Sequence, residues 1–223
     1  MFPLKDEIKS FSFPIVSYTI ILINIVVYVY QYFLYPDPLE LAYKYGLIPS
    51  KFDFFNVLTS MFLHGGFFHL FSNMLFLYIF GDNVEDVFGH LKFLFFYLIS
   101  GICASIFHIL IYPNSNVPMI GASGAISGIL GAYIVFFPFS RIFSFVFLPF
   151  IYIGFANIPA IVYIGIWFIN QLIQGMFGTL LNISSNIAFW AHIGGFITGL
   201  LIAILFLPFS YRKIRRKRFK IID

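Results

Sequence analysis

Apolar stretches fill almost the whole length between Pro14 and Phe209, broken only by short junctions that carry proline, glycine or polar residues. With 61% hydrophobic and 10% charged residues, 33 of them Phe, the chain has too little polar surface for a soluble domain. It reads as an integral membrane protein. Because the stretches run nearly end to end, one polytopic bundle is expected rather than a single anchor beside a polar domain. The only cysteine, Cys103, falls inside a stretch, which excludes a disulfide within the chain and leaves the redox compartment open.

Six spans are expected, near Pro14 to Tyr35, Phe67 to Phe88, Leu91 to Tyr112, Ser123 to Phe137, Pro159 to Phe177 and Trp190 to Phe209. Turn chemistry marks their ends: Pro36 and Pro38, Gly65 and Gly66, Pro113 with Asn114 to Asn116, Pro138, and Asn157 with Pro159. The apolar Arg141 to Ala156 segment is the weakest boundary. The expected fold class is therefore all-α, a six-transmembrane-helix bundle over residues 14–209. Residues 1–13 would be a cytoplasmic N-terminus and 210–223 a basic cytoplasmic tail. The first apolar stretch has no small-residue cleavage site and is long enough to span, so no signal or transit peptide is expected.

Charge sets the orientation. Seven of the thirteen Lys and Arg lie in the last dozen residues, and a polybasic run beside a span reads as a topology signal or a contact for anionic headgroups. No aromatic-interleaved basic surface accompanies it, so nucleic acid is not an expected partner. With six spans both termini share a side, and that side holds eleven Lys and Arg, leaving Lys44 and Lys51 opposite. The positive-inside rule then puts both termini in the cytoplasm. A compact core of this kind points to a prokaryotic plasma membrane, with an organelle membrane as the alternative.

The fourth span is short. At about 1.5 Å per residue, 15 residues reach about 22 Å of a roughly 30 Å hydrocarbon core. With its cytoplasmic end near Pro138, its outer end at Ser123 is recessed below the outer surface, and the non-helical backbone at Met119 to Ala122 needs protein or a wet cavity beside it.

Polar groups inside hydrocarbon are costly, so function is sought where they gather. They gather in three places: His69, Ser72 and Asn73 in the second span, Gly121 to Gly124 at the start of the fourth, and Ala191 to Gly195 at the start of the sixth. All lie toward the outer ends. A serine hydroxyl needs a base to take its proton, and Ser123 with His192 supplies the pair. Only helix packing can join residues 69 apart, and two glycine seams allow it: Gly124, Gly128 and Gly131 on the fourth span, Gly195 and Gly199 on the sixth. No acidic residue lies within the third to sixth spans; Asp82, Glu85 and Asp86 close the second at its far end. A Ser-His dyad follows, with His192 oriented by packing. His69 and Asn73, at i and i+4, share a helix face and suit an oxyanion hole together with the Ser123 N–H. His64 is either a water contact near the site or an interfacial residue.

Each residue also has a plainer reading. A Gly/Ala/Ser stretch alone is helix packing; its company changes the reading. His90 and His108 read as structural or interfacial, and Asn24, Asn170, Gln171 and Gln174 as hydrogen bonds between helices. Trp167 and Phe168 read as packing or lipid-facing aromatics, with a gate as the alternative. A metal site at the histidines is disfavoured, since few anionic or thiolate groups accompany them.

The segments His64-Gly65-Gly66-Phe67-Phe68-His69-Leu70-Phe71-Ser72-Asn73-Met74, Gly121-Ala122-Ser123-Gly124 and Ala191-His192-Ile193-Gly194-Gly195 resemble, in order, the three signatures of the rhomboid protease family. The resemblance covers the six-helix core. It implies Ser123 as nucleophile, His192 as general base and acid, and His69 with Asn73 as oxyanion stabilisers. It further implies a serine endopeptidase that cuts transmembrane segments of other proteins near the membrane surface, at small residues, without metal, nucleotide or other cofactor. By the same likeness, the outer loop Gly178 to Phe189 covers the site. Oligomeric state and natural substrate stay open. Two departures stand out: Phe55-Asn56 replaces the family's frequent Trp-Arg pair, and Ser127 stands where many members place an aromatic against the catalytic histidine. The competing functions are a derlin-like, non-catalytic protein that binds membrane helices, and a small transporter or channel. The dyad argues against the first, and the lack of mid-membrane ionisable residues or paired broken helices argues against the second.

Overall fold

A computed structural model of the chain describes residues 1–149, 151–181 and 187–219, those at 211, 212, 215, 216, 218 and 219 by their backbone alone. Eight α-helices carry most of it: α1 (Ile15–Val29, continued as a π-helical turn Tyr30–Leu34), α2 (Pro38–Tyr45), α3 (Phe54–Thr59), α4 (Phe67–Phe88), α5 (His90–Ile111), α6 (Ser123–Phe136), α7 (Ala160–Leu180) and α8 (Phe189–Phe219). The six expected spans correspond to α1, α4, α5, α6, α7 and α8. Of these α1, α5, α7 and the Phe189–Ser210 part of α8 are by themselves long and apolar enough to cross a bilayer, α4 qualifies jointly with the segment Phe54–Phe62 across an 89° bend, and α6 is shorter.

Short α6 is the centre of the bundle. Its residues Ala125 to Tyr133 and Phe136 are buried, with α4, α5 and α8 packed around it. Small side chains make this geometry feasible. A methyl group on Gly195 would run into the carbonyl oxygen of Gly124, and one on Gly199 into that of Gly128. Both expected seams therefore meet backbone to backbone, as close-packed membrane helices require.

The Arg141 to Ala156 segment, the weakest boundary in the sequence, carries strands. Strands β1 (Phe2–Asp6), β2 (Arg141–Leu148) and β3 (Tyr152–Pro159) form an antiparallel sheet in that order. Asp6 lies opposite Ile142, and Leu148 opposite Tyr152. Phe, Val and Ile recurring along β2 favour the pleated state, and the N-terminal residues supply its second partner. A small sheet thus supplements the helical bundle at the end away from Ser123.

The same end ties both chain termini to α4. Glu85, fully buried, accepts from the Val16 and Ser17 N–H groups (2.9 and 2.8 Å), the Ser17 hydroxyl (2.7 Å) and His90 Nδ1 (2.6 Å). It caps the start of α1, whose Pro14 has no side chain to do so. Helix α8 does not stop at the expected tail but runs to Phe219. Lys217 Nζ, nearly inaccessible, reaches Asp86 and Asn83 Oδ1, each at 2.8 Å, and the Lys9 carbonyl at 3.3 Å. Lys213 donates to the Asp86 and Val87 carbonyls at the C-terminal end of α4, where positive charge is favoured. Asn83 Nδ2 and Tyr133 OH both donate to Asp6 Oδ2.

Candidate active site

At the opposite end, α4 starts immediately after Gly66 and brings His69 and Asn73 to one face. The Gly65 N–H donates to His69 Nδ1 (3.2 Å), which leaves the ring proton on Nε2 and makes that nitrogen a donor. Asn73 is buried, and its Nδ2 has no hydrogen-bond partner among the described residues. Two donors of this kind suit an oxygen that develops charge beside them.

The segment ahead of α6 comes close to these donors because of one glycine. Gly121 has φ +122°, a backbone that side chains disfavour, and a methyl group there would sit 2.8 Å from His69 Nε2 and 3.7 Å from Asn73 Nδ2. The non-helical backbone at Met119 to Ala122 is paired against protein. Met119 exchanges two backbone hydrogen bonds with Leu47 (2.8 and 3.0 Å), and Gly121 N–H donates to the Ser60 carbonyl at 2.8 Å. Those partners belong to the first loop, where α2 and α3 are helices beyond the six spans expected. Asp37 and Asp53 cap them. Where the loop has Phe55-Asn56 in place of a Trp-Arg pair, Asn56 Nδ2 donates to the Lys44 carbonyl (3.2 Å) and Thr59 Oγ1 to the Tyr45 carbonyl (2.7 Å), tying α3 to α2.

Ser123 opens α6, and His192 lies in the first turn of α8. Their side chains meet with Ser123 Oγ 2.7 Å from His192 Nε2. Both are half-buried. Close approach follows from the glycine seam directly beneath them. The other face of the imidazole is not held by packing alone, contrary to the sequence expectation: His192 Nδ1 lies 2.8 Å from Gln171 Oε1 on α7. The aromatic contact absent at Ser127 comes from elsewhere too. Trp167 and Phe189 rings lie 6.1 and 6.5 Å from the imidazole, while Ser127 Oγ donates to the Ser123 carbonyl at 2.6 Å.

The sequence marked Gln171, like Asn170 and Gln174, as a hydrogen bond between helices and Trp167 as a packing or lipid-facing aromatic or a gate, without tying either to His192. The signal that distinguishes them is the inward stripe of α7, on which Ala160, Tyr163, Ile164, Gln171 and Gly175 are buried, while Asn170 and Gln174 are exposed. Asn24 also departs from expectation, since its Nδ2 donates to Ile20 O within its own helix at 2.7 Å. His64 is fully buried with neither ring nitrogen partnered among the described residues, its ring 5.1 Å from that of His69. Of the loop Gly178 to Phe189, residues 182–186 lie outside the described residues; at its flanks, Thr179 Oγ1 contacts Tyr112 OH (2.7 Å) and accepts from Trp190 Nε1 (2.9 Å). Among the described residues no three His, Cys, Asp or Glu side chains are grouped as metal ligands.

The family model for the rhomboid domain matches residues 51–209, most of the chain. The chain belongs to the rhomboid family. It is similar to Rhomboid-like protein 11, chloroplastic, of Arabidopsis thaliana, 36% identical over 110 residues that cover 49% of this chain and 38% of that protein. Rhomboid protein 1, mitochondrial, of Saccharomyces cerevisiae is 32% identical over 167 residues, 71% of this rhomboid and 44% of that protein. A third relative, Inactive RHOMBOID-like protein 8 of Arabidopsis thaliana, is 36% identical over 85 residues, 38% and 24% of the two chains. This rhomboid spans less than half the length of these relatives. Since one of the three is named inactive, membership does not decide catalysis; the site residues must.

Proposed function

We propose that this rhomboid is a serine endopeptidase acting within the membrane, on transmembrane segments of other proteins. The observation that carries the reading is the 2.7 Å approach of Ser123 Oγ to His192 Nε2 from two different helices. In this scheme Ser123 Oγ attacks the scissile carbonyl as its proton passes to Nε2. The tetrahedral oxyanion is met by Asn73 Nδ2, His69 Nε2–H and the unpaired N–H groups at the start of α6. The imidazolium then protonates the departing amine and leaves an acyl-Ser123. Water attacks that ester, giving its proton to Nε2, and Ser123 is regenerated with the new carboxyl terminus released.

A bond cut here must be reached by water. The partnerless ring nitrogens of His64, next to His69, support a role as a water contact at the site. The distribution of Lys and Arg, eleven against two, supports both termini in the cytoplasm and the site opening on the opposite side.

The test is cleavage of a transmembrane substrate in proteoliposomes, together with labelling by a fluorophosphonate probe. Wild type should cleave and be labelled at Ser123, and Ser123→Ala should do neither. Cleavage that survives Ser123→Ala or His192→Ala in folded protein would reject the dyad. A wild type that binds membrane helices yet never cleaves or takes the probe would make it a non-catalytic rhomboid.

A further inference from the structure

We infer that Gln171 is a positioning residue for this reaction, holding His192 in the tautomer that can act as a base. The inference rests on the protease reading above and adds to it a third member of neutral charge, supplied by a helix that carries neither reacting group.

A neutral imidazole has one proton and two nitrogens, and the reaction needs it on Nδ1 so that Nε2 can receive the serine proton. In Ser-His-Asp proteases a carboxylate enforces this. Here no carboxylate among the described residues bonds the ring, and the group on its far side is an amide oxygen, Gln171 Oε1, 2.8 Å from His192 Nδ1. An amide oxygen only accepts, so the pairing requires a proton on Nδ1 and leaves Nε2 as an acceptor toward Ser123 Oγ, 2.7 Å away. Ser123, His192 and Gln171 thus form one hydrogen-bonded line across α6, α8 and α7.

Placement on α7 supports the role. Gln171 is 7% exposed on a stripe otherwise made of Ala160, Tyr163, Ile164 and Gly175. A buried amide on an apolar stripe is costly unless it is partnered, and His192 is the partner it has. Trp167, one turn earlier, lays its ring 6.1 Å from the same imidazole, so α7 offers the base a ring and an acceptor at i and i+4. One turn later Gly175 faces the start of α8, where a methyl would sit in ordinary contact with Phe189, Trp190 and Ile193 at 3.4 to 3.5 Å, so this stretch of α7 packs directly against the turn that carries His192.

Three variants and one spectrum test this. Gln171→Met keeps the length and shape without a strong acceptor; Gln171→Glu keeps acceptor oxygens; Gln174→Met, on the exposed side of α7, is the control. Expected are a roughly tenfold loss of kcat in Gln171→Met with KM within about twofold, consistent with the net worth of one hydrogen bond, recovery in Gln171→Glu, and no change in Gln174→Met. In micelles, the ¹⁵N-histidine spectrum of the wild type should show His192 protonated at Nδ1, with a mixture of tautomers in Gln171→Met. A wild-type ring protonated at Nε2, or wild-type kcat in folded Gln171→Met, overturns the inference while Ser123→Ala still tests the protease. Should wild type neither cleave nor take the probe at Ser123, the protease reading fails, and the spectrum still decides whether Gln171 sets the tautomer.

Discussion

The two ends of the bundle handle buried polarity in opposite ways. Around Asp6, Glu85, Asp86 and Lys217 polar groups are paired with one another: Glu85 takes four hydrogen-bond contacts, and Lys217 binds a carboxylate, an amide oxygen and a backbone carbonyl. Around Ser123, Asn73 Nδ2 and both nitrogens of His64 have no partner among the described residues. An unpaired buried donor costs stability and is kept where something else repays it. The contrast separates a fastening, whose polar groups satisfy each other, from a site whose donors face outward from the protein's own bonding.

Substitutions at the two ends should therefore fail in different ways. At the Ser123 end Ser123→Ala should abolish cleavage with the melting temperature in detergent unchanged, and a large loss of stability would blur the contrast; His192→Ala should abolish cleavage too, with a modest loss of stability because buried Gln171 loses its partner. At the Asp6–Lys217 end Lys217→Met removes the ammonium from the Asp86 carboxylate, which keeps the Phe11 N–H and the Ser12 hydroxyl, and losing a hydrogen bond to a charged group in this way costs about 1.5–3 kcal/mol. Denaturation in mixed micelles should report that loss, while the kcat of the remaining folded protein holds. Asn73→Ala should lower kcat by about 10² to 10³, the usual effect of losing one oxyanion donor, without destabilising, because no internal hydrogen bond of its Nδ2 is removed. Full-rate cleavage would take Asn73 out of the oxyanion hole.

The seam between the two ends gives a smaller effect. Gly199→Ala forces a methyl against the Gly128 carbonyl and should cost about 1–3 kcal/mol, read as a lower melting temperature with activity reduced only in proportion to folded protein. Smallest is a pH effect at the Asp6–Lys217 end. Burial pushes the Asp6 carboxyl from 3.8 up to about 7, partly offset by the Tyr133 hydrogen bond and by Lys217. Between these values the unfolded chain has released the proton and the folded protein still holds it. Stability from this group should thus fall as pH rises from about 4 to about 7 and level off above. The difference in melting temperature between wild type and Asp6→Asn across that range should carry the slope; a flat difference would remove Asp6 from the pH response of that end.

Legibility in the sequence followed the range of the physics. Helices α1 and α4 to α8 were visible because hydrocarbon demands long apolar runs closed by breakers, and α4 begins and ends where its Gly65-Gly66 and Gly89 say it should. The sheet was not, since Arg141 to Leu148 is apolar enough for several states and becomes a strand by pairing with Tyr152 to Pro159 and, more than a hundred residues away, with Phe2 to Asp6. Basic residues after Phe209 read as a cytoplasmic tail serving as a topology signal or headgroup contact, yet Lys217 is buried against Asp86 and exposed Lys213 reaches the last carbonyls of α4.

By itself the sequence determined a mostly helical membrane chain and which few polar residues lie within it, because the cost of burying polar groups in lipid acts on each residue wherever it goes. Tertiary structure alone decided that Ser123 meets His192 at 2.7 Å and that an amide from α7 stands behind the ring. Those contacts depend on three helices brought together by backbone approach at glycines. No local property of Gln171 distinguishes it from Gln174; only the face of α7 that is turned inward does.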